Sequence, residues 1–267
     1  MFERLSISDE VVFATNSLIN QLKRELKQSL RDVVDKDEYS GTFLFRAFGT
    51  TFKVEYTAHF KNVGFENQIQ SIDLENRIIR LSFVCNDGIF DNETFYDGIA
   101  HELTHAYQKS MKQKGMSDNF YDSVSNVALN IENKYSDNLS MLAKGLYFAK
   151  NVEQDAYIHG MYNQVLSKFS GMDNFSVNQI RRTVLSTRFA MIPYMLLKIK
   201  EIALTDRTAF DQMIELGLFK KKGKRKHNTQ YLVKLYIQTI DKARKRIQKK
   251  INNVINKLEY DFFGEHE

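Results

Sequence analysis

The sequence predicts an α+β protein: a leading amphipathic helix, a small antiparallel sheet, and then a largely helical C-terminal half. Three observations carry this. Apolar residues recur at three and four residues early in the chain, alternate with polar ones between about residues 42 and 85, and return to helical spacing from residue 93 onward. The 267 residues contain one proline, so long helices meet few breaks. At 43% hydrophobic and 27% charged, the composition is that of a globular chain and not of a disordered one.

The leading helix is expected over Asp9–Val34, where Val12, Leu18, Ile19, Leu22, Leu26 and Leu30 keep one face apolar. Phe52, Val54, Tyr56, Ala58 and Phe60 then alternate with Lys53, Glu55, Thr57, His59 and Lys61, the mark of a half-buried strand. Thr42–Phe48 is its expected hairpin partner. A third strand is expected over Ile78–Cys85, with Asn86-Asp87-Gly88 turning the chain out of it. Asp91-Asn92 supplies capping chemistry for the next helix. Helices are expected near Glu93–Lys112, Asp118–Lys134, Asn138–Ser167, Val177–Ile202, Ala209–Leu216 and Thr229–Leu258. The organisation is an N-terminal helix over 1–40, a core over 41–170, and a helical C-terminal region over 171–267 with a basic helix at 219–258.

Several function classes fall away. The single cysteine, Cys85, excludes an intramolecular disulfide, a cysteine-rich zinc ribbon and an iron–sulfur site. No glycine-rich phosphate loop of either common spacing occurs. No apolar run reaches the roughly 20 residues that span a bilayer; Phe189–Leu197 is about half that and contains the proline. The N-terminus lacks a basic-then-apolar secretory pattern, so a cytoplasmic protein is the expectation.

Residues 101–105 read His-Glu-Leu-Thr-His. Four residues of helix rotate by about 400°, so His101 and His105 point the same way one turn apart and can bind one zinc ion from one side. Glu102 beside them can take a proton from a water that the metal acidifies. Two histidines on a helix face, one of them bonded in a core, are the plainer alternative.

A sheet followed at once by a helix bearing this motif resembles the zincin metallopeptidases, over about residues 42–165. The resemblance implies a Zn²⁺ cofactor, a polypeptide substrate, endopeptidase more than exopeptidase action, and a strand beside the helix whose open edge takes an extended peptide. It also implies a third ligand. The metzincin pattern needs Gly at 108 and His at 111, where this chain has Gln108 and Met111. Asn151-Val152-Glu153-Gln154-Asp155-Ala156-Tyr157 instead resembles the Glu-x-x-Ala motif of gluzincins, pointing to Glu153; His159 and Glu132 are the alternatives. Gluzincins commonly carry Asp four residues after that glutamate, bonded to a ligand histidine. Tyr157 stands there, leaving Asp155, Asp97 or a main-chain carbonyl for that duty. Tyr157 either packs in the core or donates to an oxyanion, a role for which His59 and His159 are further candidates.

Charge is segregated. Phe219–Lys250 holds 13 basic residues and one acid, Asp241, leaving 25 basic against 32 acidic residues elsewhere. Segment 219–250 can be a solvated face, or can contact a polyanion or an acidic protein. Two alternatives to a plain metallopeptidase follow: a zincin-fold structural or interaction protein with a vestigial metal site, and a metallopeptidase tethered to nucleic acid.

Overall fold

The computed structural model describes residues 7–29, 37–60, 69–84, 93–110, 136–218 and 228–264. Cys85, the cap at 91–92, the helix expected over Asp118–Lys134, and the basic run at 220–226 lie outside the described residues. The architecture is α+β, with helices α1 (Asp9–Ser29), α2 (Glu93–Ser110), α3 (Asp137–Ala149), α4 (Asn151–Phe169), α5 (Val177–Ser186), α6 (Ile192–Thr205), α7 (Arg207–Glu215) and α8 (Thr229–Phe263). The strands are β1 (Glu38–Ala47), β2 (Thr50–His59), β3 (Ile69–Asp73) and β4 (Ile78–Val84). The chain divides into two compact units: Met1–Gln113, Asp155–Thr183 and Leu258–Glu267 form one, and Lys114–Gln154 with Val184–Lys257 the other.

In the first unit, period-2 burial builds one face of the sheet. Phe43, Phe45, Phe52, Val54, Tyr56, Ile79, Leu81 and Phe83 share a core with Val11, Leu18, Leu22 and Leu26 of α1 and Phe95, Ile99, Leu103 and Ala106 of α2. β1 and β2 form the expected hairpin, closed by Phe48 and Gly49 between the paired Ala47 and Thr50. Both loop residues have positive φ, 52° and 70°, the backbone of a mirror-image turn that suits strand twist. Glycine adopts it freely. Phe48 does not, and its ring lies 5.3 Å from that of Tyr107 on α2, a contact that offsets the strain.

The sheet is mixed and not antiparallel as the sequence suggested. Its order is β1-β2-β4-β3, with β2 parallel to β4 through Val54↔Ile79 and Tyr56↔Leu81. The cause is β3, a five-residue strand that alternation did not reveal because it is short and reads Ile-Gln-Ser-Ile-Asp. It carries the chain past the β4 position, and β4 then returns antiparallel to β3 and alongside β2. Asp73 closes that return by accepting from the Asn76 side chain and from the N–H groups of Asn76 and Glu75. The Asn76 bonds hold its carboxyl below the usual range.

The second unit packs α3, α6, α7 and much of α8. Tyr236 of α8 is fully buried and donates to the Leu142 carbonyl of α3 at 2.7 Å; burial pushes its hydroxyl pKa up. Its ring meets Phe210 of α7 edge-on at 5.5 Å. Asp206 caps α7 through the Ala209 N–H at 2.9 Å and accepts from Asn138 of α3 at 2.7 Å.

Two helices expected as continuous are interrupted. The run 138–167 breaks at Lys150, which is extended (φ −72°, ψ 131°). Arg246 of α8 donates to the Ala149 carbonyl at 2.9 Å and to Asn151 Oδ1 at 2.5 Å, and Gln154 donates to the Phe148 carbonyl at 2.8 Å. Carbonyls orphaned at the end of α3 thus find side-chain donors, so the break carries little penalty. The run 177–202 breaks at 187–191, where a 3₁₀ turn over Phe189–Met191 leads into α6 with Pro193 in its first turn. Proline is tolerated there and not in a helix interior.

Gly145 of α3 makes a test of this packing. A Cβ at that position would meet Tyr236 Oη at 2.5 Å and Ile199 Cγ2 at 2.8 Å. Helix propensity alone favours Gly145→Ala by about 1 kcal/mol. Overpacking of a dense core costs about 1–3 kcal/mol, and two of the three opposed groups are methyls of rigid, buried residues. Gly145→Ala therefore lowers the urea midpoint; a rise would show that propensity outweighs packing here.

Candidate metal centre

Helix α2 has two working faces. Phe95, Ile99, Leu103 and Ala106 are buried against the sheet and α1. Asp97, His101 and His105, spaced by four, form a second row. Across it runs α4, whose Glu153, Tyr157 and Gly160 share one face at spacings of four and three.

Gly160 sets the approach of the two helices. A Cβ there would lie 2.9 Å from the Asp97 main-chain oxygen and would collide with the Asp97 carboxylate. One turn along, the Tyr157 and His101 rings meet edge-on with centroids 4.5 Å apart. One further turn brings Glu153, and its carboxylate and one nitrogen each of His101 and His105 lie within 4.8 Å of one another. The pairings run 160 to 97 and 157 to 101, so the helices are antiparallel at this point.

The two Nε2 atoms of His101 and His105 are 3.2 Å apart. A tetrahedral ion with bonds near 2.0–2.1 Å holds two nitrogens roughly 3.3–3.4 Å apart, so the imidazoles already stand at bridging distance. The half-buried Glu153 carboxylate lies within 4.8 Å of both nitrogens, against roughly 3.3 Å between donors on one tetrahedral ion. Two imidazoles and a carboxylate fit zinc by donor type.

Gln108 completes the arrangement. Its Oε1 lies 3.2 Å from His105 Nδ1. An amide oxygen only accepts, so this contact matches the tautomer with the proton on Nδ1 and the Nε2 lone pair towards His101. This is the histidine-orienting duty for which the sequence offered Asp155, Asp97 or a main-chain carbonyl. The sequence shows Gln108 as a departure from the metzincin glycine, and its i+3 spacing from His105 on one helix is the signal for this second role.

Glu102 lies on the adjoining side of α2 and lines a small cavity with Ser71 and Ile72 of β3 and with Ile79 and Leu81 of β4. Among the described residues β3 is an edge strand. The remaining histidine candidates are held elsewhere. His159 is 2% exposed; its Nδ1 donates to the Asp155 carbonyl at 2.8 Å and its Nε2 accepts from the Ser8 N–H at 2.8 Å, tying α4 to the start of α1. His59 sits on the sheet, 3.1 Å from Ser82 Oγ and 3.6 Å from Glu38. Neither belongs to the His101–His105–Glu153 group. Tyr157 is half-buried with its ring on His101, and Glu132 lies outside the described residues.

Two substitutions probe the geometry. Gly160→Ala must displace α4 from α2 at a main-chain contact, which weakens the binding of any metal held between the two helices while helix content is retained. Gln108→Leu frees the His105 ring and costs about 10- to 100-fold in affinity, the range for partners of metal-bound histidines. Competition against a fluorescent chelator measures both; affinities equal to wild type would show that neither contact shapes the centre.

No family model matches the chain, and no curated protein or solved structure matches it.

Proposed function

We propose that the protein is a zinc-dependent metallopeptidase, with zinc held by His101, His105 and Glu153 and with Glu102 as general base. One observation carries the reading: two imidazole nitrogens at 3.2 Å with a carboxylate converging on them from a second helix. Bound zinc supplies a Lewis acid for a carbonyl oxygen and makes water a competent nucleophile near neutral pH. Glu102 accepts the water's proton and passes it to the leaving amine. Gln108 holds His105 in the ligating tautomer, and the Tyr157 ring buttresses His101. The outer edge of β3, beside Glu102, offers main-chain groups to an extended peptide, which places a scissile bond near that carboxylate.

A second reading has its own support. An Nε2–Nε2 distance of 3.2 Å is also that of a hydrogen bond between neutral imidazoles, so the same residues can close a structural contact in an interaction protein without metal. Among the described residues no helix is long and apolar enough to cross a membrane, and both readings agree with that.

Metal analysis and one isosteric change separate them. Protein purified without metal-affinity resin carries about one zinc per chain, lost in His101→Ala and His105→Ala and weakened in Glu153→Ala. Glu102→Gln keeps zinc while hydrolysis of an unfolded protein substrate falls by roughly 10²-fold or more. Absence of zinc from wild type supports the structural reading; equal cleavage by wild type and Glu102→Gln refutes the mechanism.

A further inference from the structure

Helix α8 presents two faces of opposite chemistry. Leu232, Tyr236, Ile240, Ala243, Ile247, Ile251 and Val254 are buried. On the opposite side, every exposed position from 234 to 256 is Lys, Arg, Gln or Asn. Lys234, Gln238, Lys242, Lys245, Lys249, Asn252 and Asn256 follow one another at three- or four-residue steps and so form a single ridge. At 1.5 Å per residue it is about 33 Å long. The one acid of this stretch, Asp241, is held by Lys200 of α6 at 2.8 Å and does not neutralise the ridge. Arg246 is drawn aside to Asn151 and Ala149. Lys242 and Lys245, at the centre, have no ion-pair partner within 4.0 Å among the described residues.

We infer that this ridge is a docking surface for duplex nucleic acid, read through its phosphates. Ammonium groups such as those of Lys242 and Lys245, with no carboxylate beside them among the described residues, are what a phosphate array requires, and amide side chains between lysines extend the same hydrogen bonding. A ridge of about 33 Å matches roughly one turn of duplex, about 34–36 Å, so a helix laid along it meets both strands. Single-stranded binders stack successive bases on aromatic rings, whereas here the exposed rings, Tyr231 and Tyr260, stand only at the two ends of the ridge, with none between 234 and 256. A membrane-surface helix must offer its apolar face to lipid, and here that face is buried. A protein partner is disfavoured because interface anchors are typically aromatic or arginine and cluster near the centre of an interface, and here Tyr231 and Tyr260 lie at the two ends and Arg246 is engaged by Asn151 and Ala149. Binding is sequence-tolerant, since no side chain set for base edges accompanies it. The inference is independent of the metal centre.

The full chain is titrated into a fluorescein-labelled random-sequence duplex DNA of about 20 base pairs, the matching single strand, and vesicles of phosphatidylcholine with about one-third phosphatidylserine. With about four lysines engaged, log affinity against log salt has a slope of about −3 to −4. The double variant Lys242→Glu/Lys245→Glu weakens duplex binding by tenfold or more and reduces the slope by about 2. Lys27→Glu/Lys109→Glu makes the same charge change at exposed positions on α1 and α2 and leaves binding within about twofold. Circular dichroism confirms that both variants keep wild-type helix content, as expected for exposed helix positions. The inference is overturned by any of four results: no duplex binding at low salt, equal loss in the two double variants, tighter binding to the single strand, or variant-sensitive binding to vesicles in place of DNA.

Discussion

The candidate centre depends on one close approach. With no side chain at Gly160, the backbone of α4 comes against Asp97 of α2. Helices normally pack with axes 8–10 Å apart, and a glycine at the crossing selects the short end of that range. Everything downstream follows from the helical repeat. Three residues back along α4 the neighbouring side chain is Tyr157, which meets His101; four further back it is Glu153. A carboxylate is long enough to reach two imidazoles only when the helices are this close. The glycine thus fixes a distance, and the spacing of residues on two antiparallel helices converts that distance into a donor set.

The elements that sequence made legible are those whose pattern is local. The His-Glu-Leu-Thr-His run fixes the faces of α2 through helix geometry alone, and the alternation of residues 52–58 fixes the buried side of β2. Glu153 was reached by resemblance, and the structure brings its carboxylate beside the imidazoles. What stayed hidden is non-local. Strand direction is not encoded in alternation, so the parallel pairing of β2 with β4 could not be read from either strand. The break at Lys150 has no proline or glycine to announce it; it rests on Arg246, about a hundred residues away, meeting carbonyls that a continuous helix would have used. The break before Pro193 was legible in principle and was overridden by strong periodicity on both sides.

The C-terminal basic segment shows how a charge count merges different roles. Between residues 219 and 250, the cation Arg246 is engaged at the α3–α4 junction and the one acid, Asp241, is paired with Lys200, so both have partners within the fold. The apolar positions of the same helix, with Tyr236 at their centre, belong to the core of the second unit. The segment is therefore not a tail attached to a finished domain. Only its outward row retains the character that the sequence suggested, and that row is set by the register of the buried one.

That register also bears on Glu153. The glutamate stands two residues after Asn151 and seven before Gly160, so it lies between two fixed points on one helix. At one end Arg246 ties down both the last carbonyl of α3 and the first side chain of α4. At the other, Gly160 packs directly against Asp97 of α2, with no room for a Cβ. Seven residues span about 10.5 Å of helix, and a slip of a single residue turns a side chain by about 100°. Held at both ends, a half-buried acid in the first turn also lies where the helix N-terminus favours its negative charge. The geometry needed to keep a third donor poised beside two imidazoles is thus supplied by contacts that involve neither the histidines nor the glutamate itself.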